Sequence, residues 1–483
     1  MIPFPSFEPD KALYNVGAGD TLLNVLPVAD GWGPAPALAT ISDALGSECR
    51  GATYYVSAAG DVTVIAGTAT DLYKLDTSTS PYSWLEVSKS SGVYNVPVGD
   101  FWSFTQFGDY LVAHTLGDDA QFIDVVSGTA FADLPGSPPR ARYSWVAGDF
   151  LVFGYLSGEP QTVHWSGIND AEFWTIGERG CDKQALPDGG QIMGGVPSPY
   201  GATIVQRAKI RVMQSTGNAY VFSFSVANDA KGTLSPRSIA SLGNNQFAYL
   251  SDQGFFIGAQ AQPIGAERVD RWFFNTCEPQ YLNDVRSAVD PYRKIVWWRF
   301  QTINGTARLL GYHWQLDRWC LSDQDFTAAV PLATPGLSWD ALGGIYDTID
   351  DIDVPFDSPL FNGGVPQMAA FTTGNKLAYF AGQNMAATLR TADVELTTGR
   401  RSFVNSAYVI GDLGANGTLT VAKSDFHGDS FDADSAVSPS ARTARFSLRS
   451  AGRQHRFTLS IPAGTDWTTV SGIEVGMTAE GNQ

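Results

Sequence analysis

Along the first four-fifths of the chain, a polar turn runs repeatedly into a short, unbroken apolar stretch. Gly108-Asp109-Tyr110-Leu111-Val112 is answered 40 residues later by Gly148-Asp149-Phe150-Leu151-Val152. Looser copies begin at Gly60-Asp61-Val62, Tyr200-Gly201-Ala202, Asn244-Asn245-Gln246, Arg293-Lys294-Ile295 and Asn375-Lys376-Leu377. A second echo, Asp270-Arg271-Trp272 and Asp317-Arg318-Trp319, is spaced by 47. Apolar runs bounded by turn residues describe strands covered on both faces. Periods of about 40–50 residues made of strand alone describe the blades of a β-propeller, whose small sheets must stack to bury their faces. The pattern predicts six or seven blades over residues 49–388. Gly60-Asp61, Gly108-Asp109, Gly148-Asp149 and Asn244-Asn245 should occupy corresponding hairpin turns, and Trp272 and Trp319 should be buried at equivalent seams.

The flanks read differently. Residues 1–48 carry Pro3, Pro5, Pro9, Pro27, Pro34 and Pro36, the mark of an extended arm. From 389 to 483 the strands lengthen and alternate, over 392–396, 402–410, 418–421, 445–448, 456–461 and 473–478, which predicts an antiparallel β-sandwich or barrel. The arm has too few apolar residues for a core of its own, so it should pack on this C-terminal domain as a platform beside the propeller. Asn304-Gly305 and Asn416-Gly417 are expected as type I′ hairpin turns. The fold class is thus all-β, with an irregular acidic insertion near 346–364.

Composition narrows the function classes. The 483 residues, 44% apolar with 50 Gly and 26 Pro, fit a many-turned β protein of two or three domains. No apolar run approaches the roughly 18 residues of a membrane span, and Met1-Ile2-Pro3-Phe4-Pro5 lacks the basic and apolar regions of a secretory signal. Cys49, Cys181, Cys277 and Cys320 are scattered, as free buried thiols of a protein assembled in a reducing cytoplasm would be. The net charge is −18, and in the first hundred positions Lys11, Arg50, Lys74 and Lys89 face eleven carboxylates. A protein that grips DNA needs a basic stripe to displace counterions, and the sequence has none in its propeller part. An acidic wall would keep a passing duplex from sticking; it also serves solubility.

The chemistry-bearing residues form no catalytic pattern. The sequence has no nucleophile elbow, no phosphate-binding loop and no zinc-protease motif. Its five histidines are not spaced as ligands on one element, and His114 and His164 lie in apolar strands, as core residues do. No catalytic residue and no cofactor is expected. Asp347, Asp350, Asp351 and Asp353, with Asp357, could hold a cation through carboxylate oxygens or simply form a solvated loop. Arg442, Arg445, Arg449, Arg453 and Arg456 follow one another with no acid between Asp434 and Asp466. In so acidic a chain they are candidates for a face that docks on a neighbour's carboxylates, since a guanidinium pairs with a carboxylate bidentately; a solvated strand face is the plain alternative.

Several phrases, in order along nearly the whole chain, resemble the tail hub or nozzle proteins of short-tailed phages, also called packaged-DNA stabilisation or head-completion proteins. They are Ala66-Gly67-Thr68-Ala69-Thr70-Asp71-Leu72-Tyr73-Lys74-Leu75, Val163-His164-Trp165-Ser166-Gly167-Ile168-Asn169-Asp170 with Trp174, Gly311-Tyr312-His313-Trp314 through Arg318-Trp319, Asp357-Ser358-Pro359 with Gly363-Gly364, and Arg456-Phe457-Thr458-Leu459 through Trp467 to Gly472-Ile473-Glu474-Val475. The resemblance implies a virion protein assembled in the host cytoplasm as a hexameric ring. That ring would lie below the portal and its adaptor, contact tail fibres, spikes or a needle, retain packaged DNA and conduct it without sequence-specific binding. It implies no catalytic residues, no cofactor and no membrane anchor. A receptor- or glycan-binding tail module and a propeller-fold glycan hydrolase are the rival readings. The first would show tryptophans clustered on a solvent face, the second two carboxylates converging on the propeller axis.

Overall fold

The computed structural model describes residues 1–14, 17–56, 62–79, 81–90, 92–218, 220–243, 245–333, 366–426 and 428–479. Among them lie seven four-stranded antiparallel sheets. Their first strands are Ala52–Val56, Ser103–Phe107, Ala141–Ala147, Ile192–Ser198, Ala240–Gly243, Arg286–Asp290 and Ala328–Ala333. First strands of successive sheets lie side by side, apart from those of the fourth and fifth, and Ala328–Ala333 returns against Ala52–Val56. The fourth and fifth sheets join through a core that includes Val196, Phe247 and Tyr249. This closed circuit is the arrangement of a β-propeller.

The repeated phrase marks one place in that arrangement. Gly108-Asp109 links the first and second strands of the second sheet, Gly148-Asp149 those of the third, and Asn245 precedes the second strand of the fifth. Gly108 and Gly148 both have φ of 59°, a left-handed turn conformation that glycine adopts at no steric cost. The strand that follows is flanked by strands on both edges and by sheets on both faces, so an unbroken apolar run suits it. Leu111, Val112 and Ala113, then Leu151, Val152 and Phe153, are buried accordingly. Gly60-Asp61 and Asn244 lie outside the described residues.

Three expectations need correction. Asn375-Lys376 stands between the second and third strands of the last sheet, Pro366–Phe371 and Lys376–Asn384, one turn out of step. Residues 334–365 separate that sheet's first and second strands, and its third strand is the internal one that carries the run. Trp272 and Trp319 are not equivalent: the former sits partly exposed on the helix Asp270–Thr276, the latter is 0% exposed in the last strand of the sixth sheet. The Asn-Gly pairs are not type I′ turns, which need positive φ at both residues. Only Gly305 (77°) and Gly417 (82°) have it, and Asn416-Gly417 leads from one C-terminal sheet to another.

Past the propeller are two six-stranded sheets. One contains Phe446–Gly452, Ser402–Gly411 and Val470–Ala479; the other contains Thr418–Ser424, Gln454–Ile461 and Ala387–Arg390. Val404, Phe446 and Ile473 from the first and Leu389, Val421 and Leu459 from the second share one core, which continues to Trp298 and Trp319 of the sixth propeller sheet.

The arm is not one piece. Ile2–Pro3 pairs with Val470–Ala479, Gly31–Pro34 meets the same strand, and Leu22–Leu23 pairs with Ala387–Arg390. Pro36–Ala44, however, is the outer strand of the last propeller sheet, paired with Lys376–Asn384. The boundary expected at residue 48 therefore gives way to one near 35. The second sequence echo turns out to be the arm's seat. The Asp10 carboxylate accepts the backbone N–H groups of Arg271 and Trp272, each at 2.8 Å. Arg268 bridges Glu8 and Asp317 at 2.6 Å each. Arg318 donates to the carbonyls of Val28 and Gly31 and lies 4.3 Å from the centroid of the Trp32 ring.

Candidate interface and axial cavity

Phe446–Gly452 is an edge strand of its sheet, and its side chains alternate between core and solvent. Phe446 and Leu448 turn inward, while Arg445, Ser447 and Arg449 are exposed. Arg442 and Arg453, just before and after the strand, are exposed as well. Among the described residues none of these four guanidiniums has a hydrogen-bond or ion-pair partner. Arg456 does not belong with them. It forms a two-pronged pair with Asp393, at 2.7 and 3.1 Å, and stacks on Phe431 at 4.1 Å. Its strand is internal to the other sheet, and its charge is already matched. The acidic set Asp347, Asp350, Asp351, Asp353 and Asp357 lies outside the described residues.

The four histidines among the described residues, His114, His164, His313 and His455, are buried. His114 donates its Nδ1–H to the Ala141 carbonyl at 2.9 Å, and burial lowers its pKa from 6.5 to about 4. His164 is lowered likewise, by burial and then Lys183, with Cys181 Sγ 3.6 Å from its Nε2. All four cysteines are free and buried, and burial pushes the Cys49 thiol up to about 12. Groupings of three or more metal-ligating side chains are absent among the described residues.

His114 gives a pH dependence with a definite sign. Between pH 6.5 and 4 the unfolded chain takes up a proton that the folded one refuses, so stability is full above 6.5 and falls as the pH drops. The loss approaches about 3 kcal/mol at about 1.36 kcal/mol per pH unit. The denaturant midpoint should therefore fall less steeply with acid in His114→Gln than in the parent. Identical slopes would remove His114 from the account.

Two cavities of the propeller differ in charge. Near the turns after the first strands of the second and third sheets, a basin of about 660 Å³ is lined by Asp109, Asp124, Asp149, Asp170 and Glu172. At the other end, where first strands begin, a cavity of about 690 Å³ is lined by both signs. Arg237, on the short turn Pro236–Ser238, pairs with Asp284; Arg286 lies 3.2 Å from Asp284 and 3.8 Å from Glu48. Burial, and then the neighbouring Arg286, bring the Arg237 pKa down to about 9. Sequence reading missed this group, because its members come together only when the circuit of sheets closes.

No family model and no curated protein sequence matches the chain. Among solved structures it is similar to the WD40 domain of Toxoplasma gondii coronin (TM-score 0.38, 10% identity, covering 74% of this chain and 87% of that one). It is similar also to a puromycin hydrolase (0.37, 12%, 70% and 60%) and to a quinonprotein alcohol dehydrogenase-like protein of Bacteroides thetaiotaomicron (0.33, 12%, 54% and 63%). The chain thus spans less than two thirds of the length of the last two. At this level each is a likeness in outline and nothing further.

Proposed function

We propose that this chain is a structural virion protein, a subunit of the tail hub or nozzle ring of a short-tailed phage, which retains packaged DNA and conducts it during ejection. In this reading the seven four-stranded sheets are seven blades, the last closed by Pro36–Ala44, and the two six-stranded sheets are a β-sandwich platform. The protein has no catalytic role, assembles in the host cytoplasm and resides in the tail, between an adaptor or portal-side protein and fibres, a spike or a needle. The observation that carries the proposal is the exposed edge strand with Arg442, Arg445, Arg449 and Arg453 unmatched, on a chain of net charge −18. A basic face that meets an acidic face on the next copy is a head-to-tail contact, and such contacts build a ring where the rotation between copies closes. Arginine suits that contact because its planar fork fits a carboxylate. The acidic basin at the propeller turns supports a wall that repels a duplex carrying about one charge per 1.7 Å. A glycan-binding module is the second reading, favoured only by the axial cavity.

The test is the assembly state of Arg445→Glu/Arg449→Glu. Sedimentation should give a closed ring for the parent and smaller species for the variant. The deficit should be greatest at low salt, where exposed charges are least screened, and the unfolding curve should stay unchanged. Duplex DNA should bind the parent ring weakly. Assembly indifferent to the reversals would return these arginines to the solvent, and tight, salt-sensitive DNA binding would replace the conduit with a plug that grips.

A further inference from the structure

Each propeller sheet ends in an outer strand whose free edge can pair with another chain, and among the described residues six of the seven edges are guarded. The second and fifth outer strands, Ala132–Asp133 and Gln262–Pro263, have two residues each. The third, Asp182–Ala185, is short and opens on Asp182 and Lys183. The sixth, Arg318–Ser322, lies under the arm, where Asn24 gives its N–H to the Leu321 carbonyl at 2.8 Å. The first and last guard each other. Tyr82, just before Ser83–Glu86, gives its N–H to the Ile41 carbonyl at 3.1 Å and accepts that of Asp43 at 2.8 Å.

The fourth outer strand is open. Phe222–Asn228 is seven residues long and carries no charge, and among the described residues no strand pairs with its outer side. Its one irregularity is a bulge at the far end, where Arg211 pairs with Val226 and Ile210 with Asn228. The direction of its hydrogen bonds follows from its neighbours. Ser215 gives its N–H to Tyr200, away from this strand, and Thr216 gives its own to Val221. Bonding direction alternates along an antiparallel strand, so Gln214 and Val212 bond Ser223 and Ser225, their partners in register. The N–H and C=O groups of Phe222, Phe224 and Val226 therefore point outward. The strand is also held in place, because Phe222 and Phe224 pack on Trp165 of the third sheet at 5.3 and 6.1 Å. Ser223, Ser225 and Val226 are exposed, and Tyr220 and Tyr200, 85% and 76% exposed, stand at its start.

We propose that the outer edge of the fourth sheet binds an extended, charge-free segment of another protein, added as an antiparallel fifth strand. Main-chain groups supply the affinity, so a class of segment is selected rather than one sequence. β-branched apolar residues suit the places opposite Phe224 and Val226, and threonine or serine those opposite Ser223 and Ser225. A second copy of this chain is the wrong occupant. Each copy carries a net −18, and this edge has no cation to offset the repulsion. The edge belongs to the propeller, so the proposal goes beyond the ring reading and does not depend on the arginine strand.

The probe is a peptide of alternating valine and threonine with a glycine–serine tail and a fluorophore, titrated into the full-length protein and followed by anisotropy. It should bind saturably, one per chain. The same peptide N-methylated at its valines, whose N–H groups would face the edge, should bind at least about tenfold more weakly. Val226→Pro removes one outward N–H and none of the sheet's own, and an edge tolerates proline at such a place. It should weaken binding about three- to tenfold. Because that variant could disturb folding, amide exchange on the unaltered protein gives an independent reading: the peptide should protect residues 222–226. Four outcomes overturn the proposal: no saturable binding, equal binding of the N-methylated peptide, protection elsewhere, or a folded Val226→Pro that binds as the parent does. Sedimentation adds a fifth. Self-association of the parent that Val226→Pro abolishes would make the occupant a second copy.

Discussion

A chain reduced to residues 45–483 is expected not to fold. The missing segment supplies strands to three sheets and buries Phe4, Phe7, Leu22, Val25, Leu26 and Trp32, each no more than 8% exposed. At about 1.5–3 kcal/mol for each such side chain, their burial matches the whole net stability of a typical protein, about 5–15 kcal/mol. Losing Pro36–Ala44 also bares the edge of Lys376–Asn384, a buried apolar strand that then invites pairing with other chains. Expression should yield insoluble material, and co-expression of residues 1–44 as a separate peptide should restore solubility in part. Limited proteolysis of the intact protein should leave the arm uncut. A soluble 45–483 fragment with a cooperative transition near that of the full chain would mean that the arm is an accessory.

The second large effect belongs to the aromatic knot beneath the arm. Trp298 and Trp319 are 0% exposed and stack at 5.9 Å, with Phe255 4.7 Å from the first and Tyr312 4.9 Å from the second. Each indole N–H is satisfied, Trp298 by the Ser238 carbonyl at 2.9 Å and Trp319 by the Ile264 carbonyl at 3.2 Å. Truncating either to Ala should cost about 3–5 kcal/mol, from lost burial and the cavity left behind. Trp272, partly exposed and held edge-on by Phe7 at 4.9 Å, should cost only about 1–2 kcal/mol. Guanidinium midpoints for the three variants will rank them. Equal losses would mean that the helix Asp270–Thr276 is more deeply part of the core than its exposure indicates.

What could be read from the chain follows from how each strand is covered. The second strand of each of the first six propeller sheets, and the third of the last, is enclosed on all sides, so its sequence is an apolar run with a turn residue before it, and the repeat is visible. The C-terminal strands, with one face in and one out, alternate, and 402–410 and 456–461 coincide with Ser402–Gly411 and Gln454–Ile461. Pro36–Ala44 is an outer strand with mostly half-buried side chains, and its partner is more than 300 residues away, so neither run nor alternation betrays it. Arg456 looks like its neighbours in sequence; only the placement of Asp393 distinguishes it. Arg237 and Arg286 sit on unremarkable local sequence, and no periodicity brings them together.

The closing strand also sets the order of events at the ribosome. Lys376, the partner of Ala44, is made 332 residues after it. At about 5–20 residues per second this is a wait of roughly 17–66 s. Throughout that interval a nine-residue strand with open hydrogen-bonding edges is present on a chain whose other sheets can already form. Folding of this sheet is therefore timed by its later partner: Pro36–Ala44 is placed only after Lys376–Asn384 is made, and anything that slows translation between them lengthens the period in which it can pair with the wrong chain.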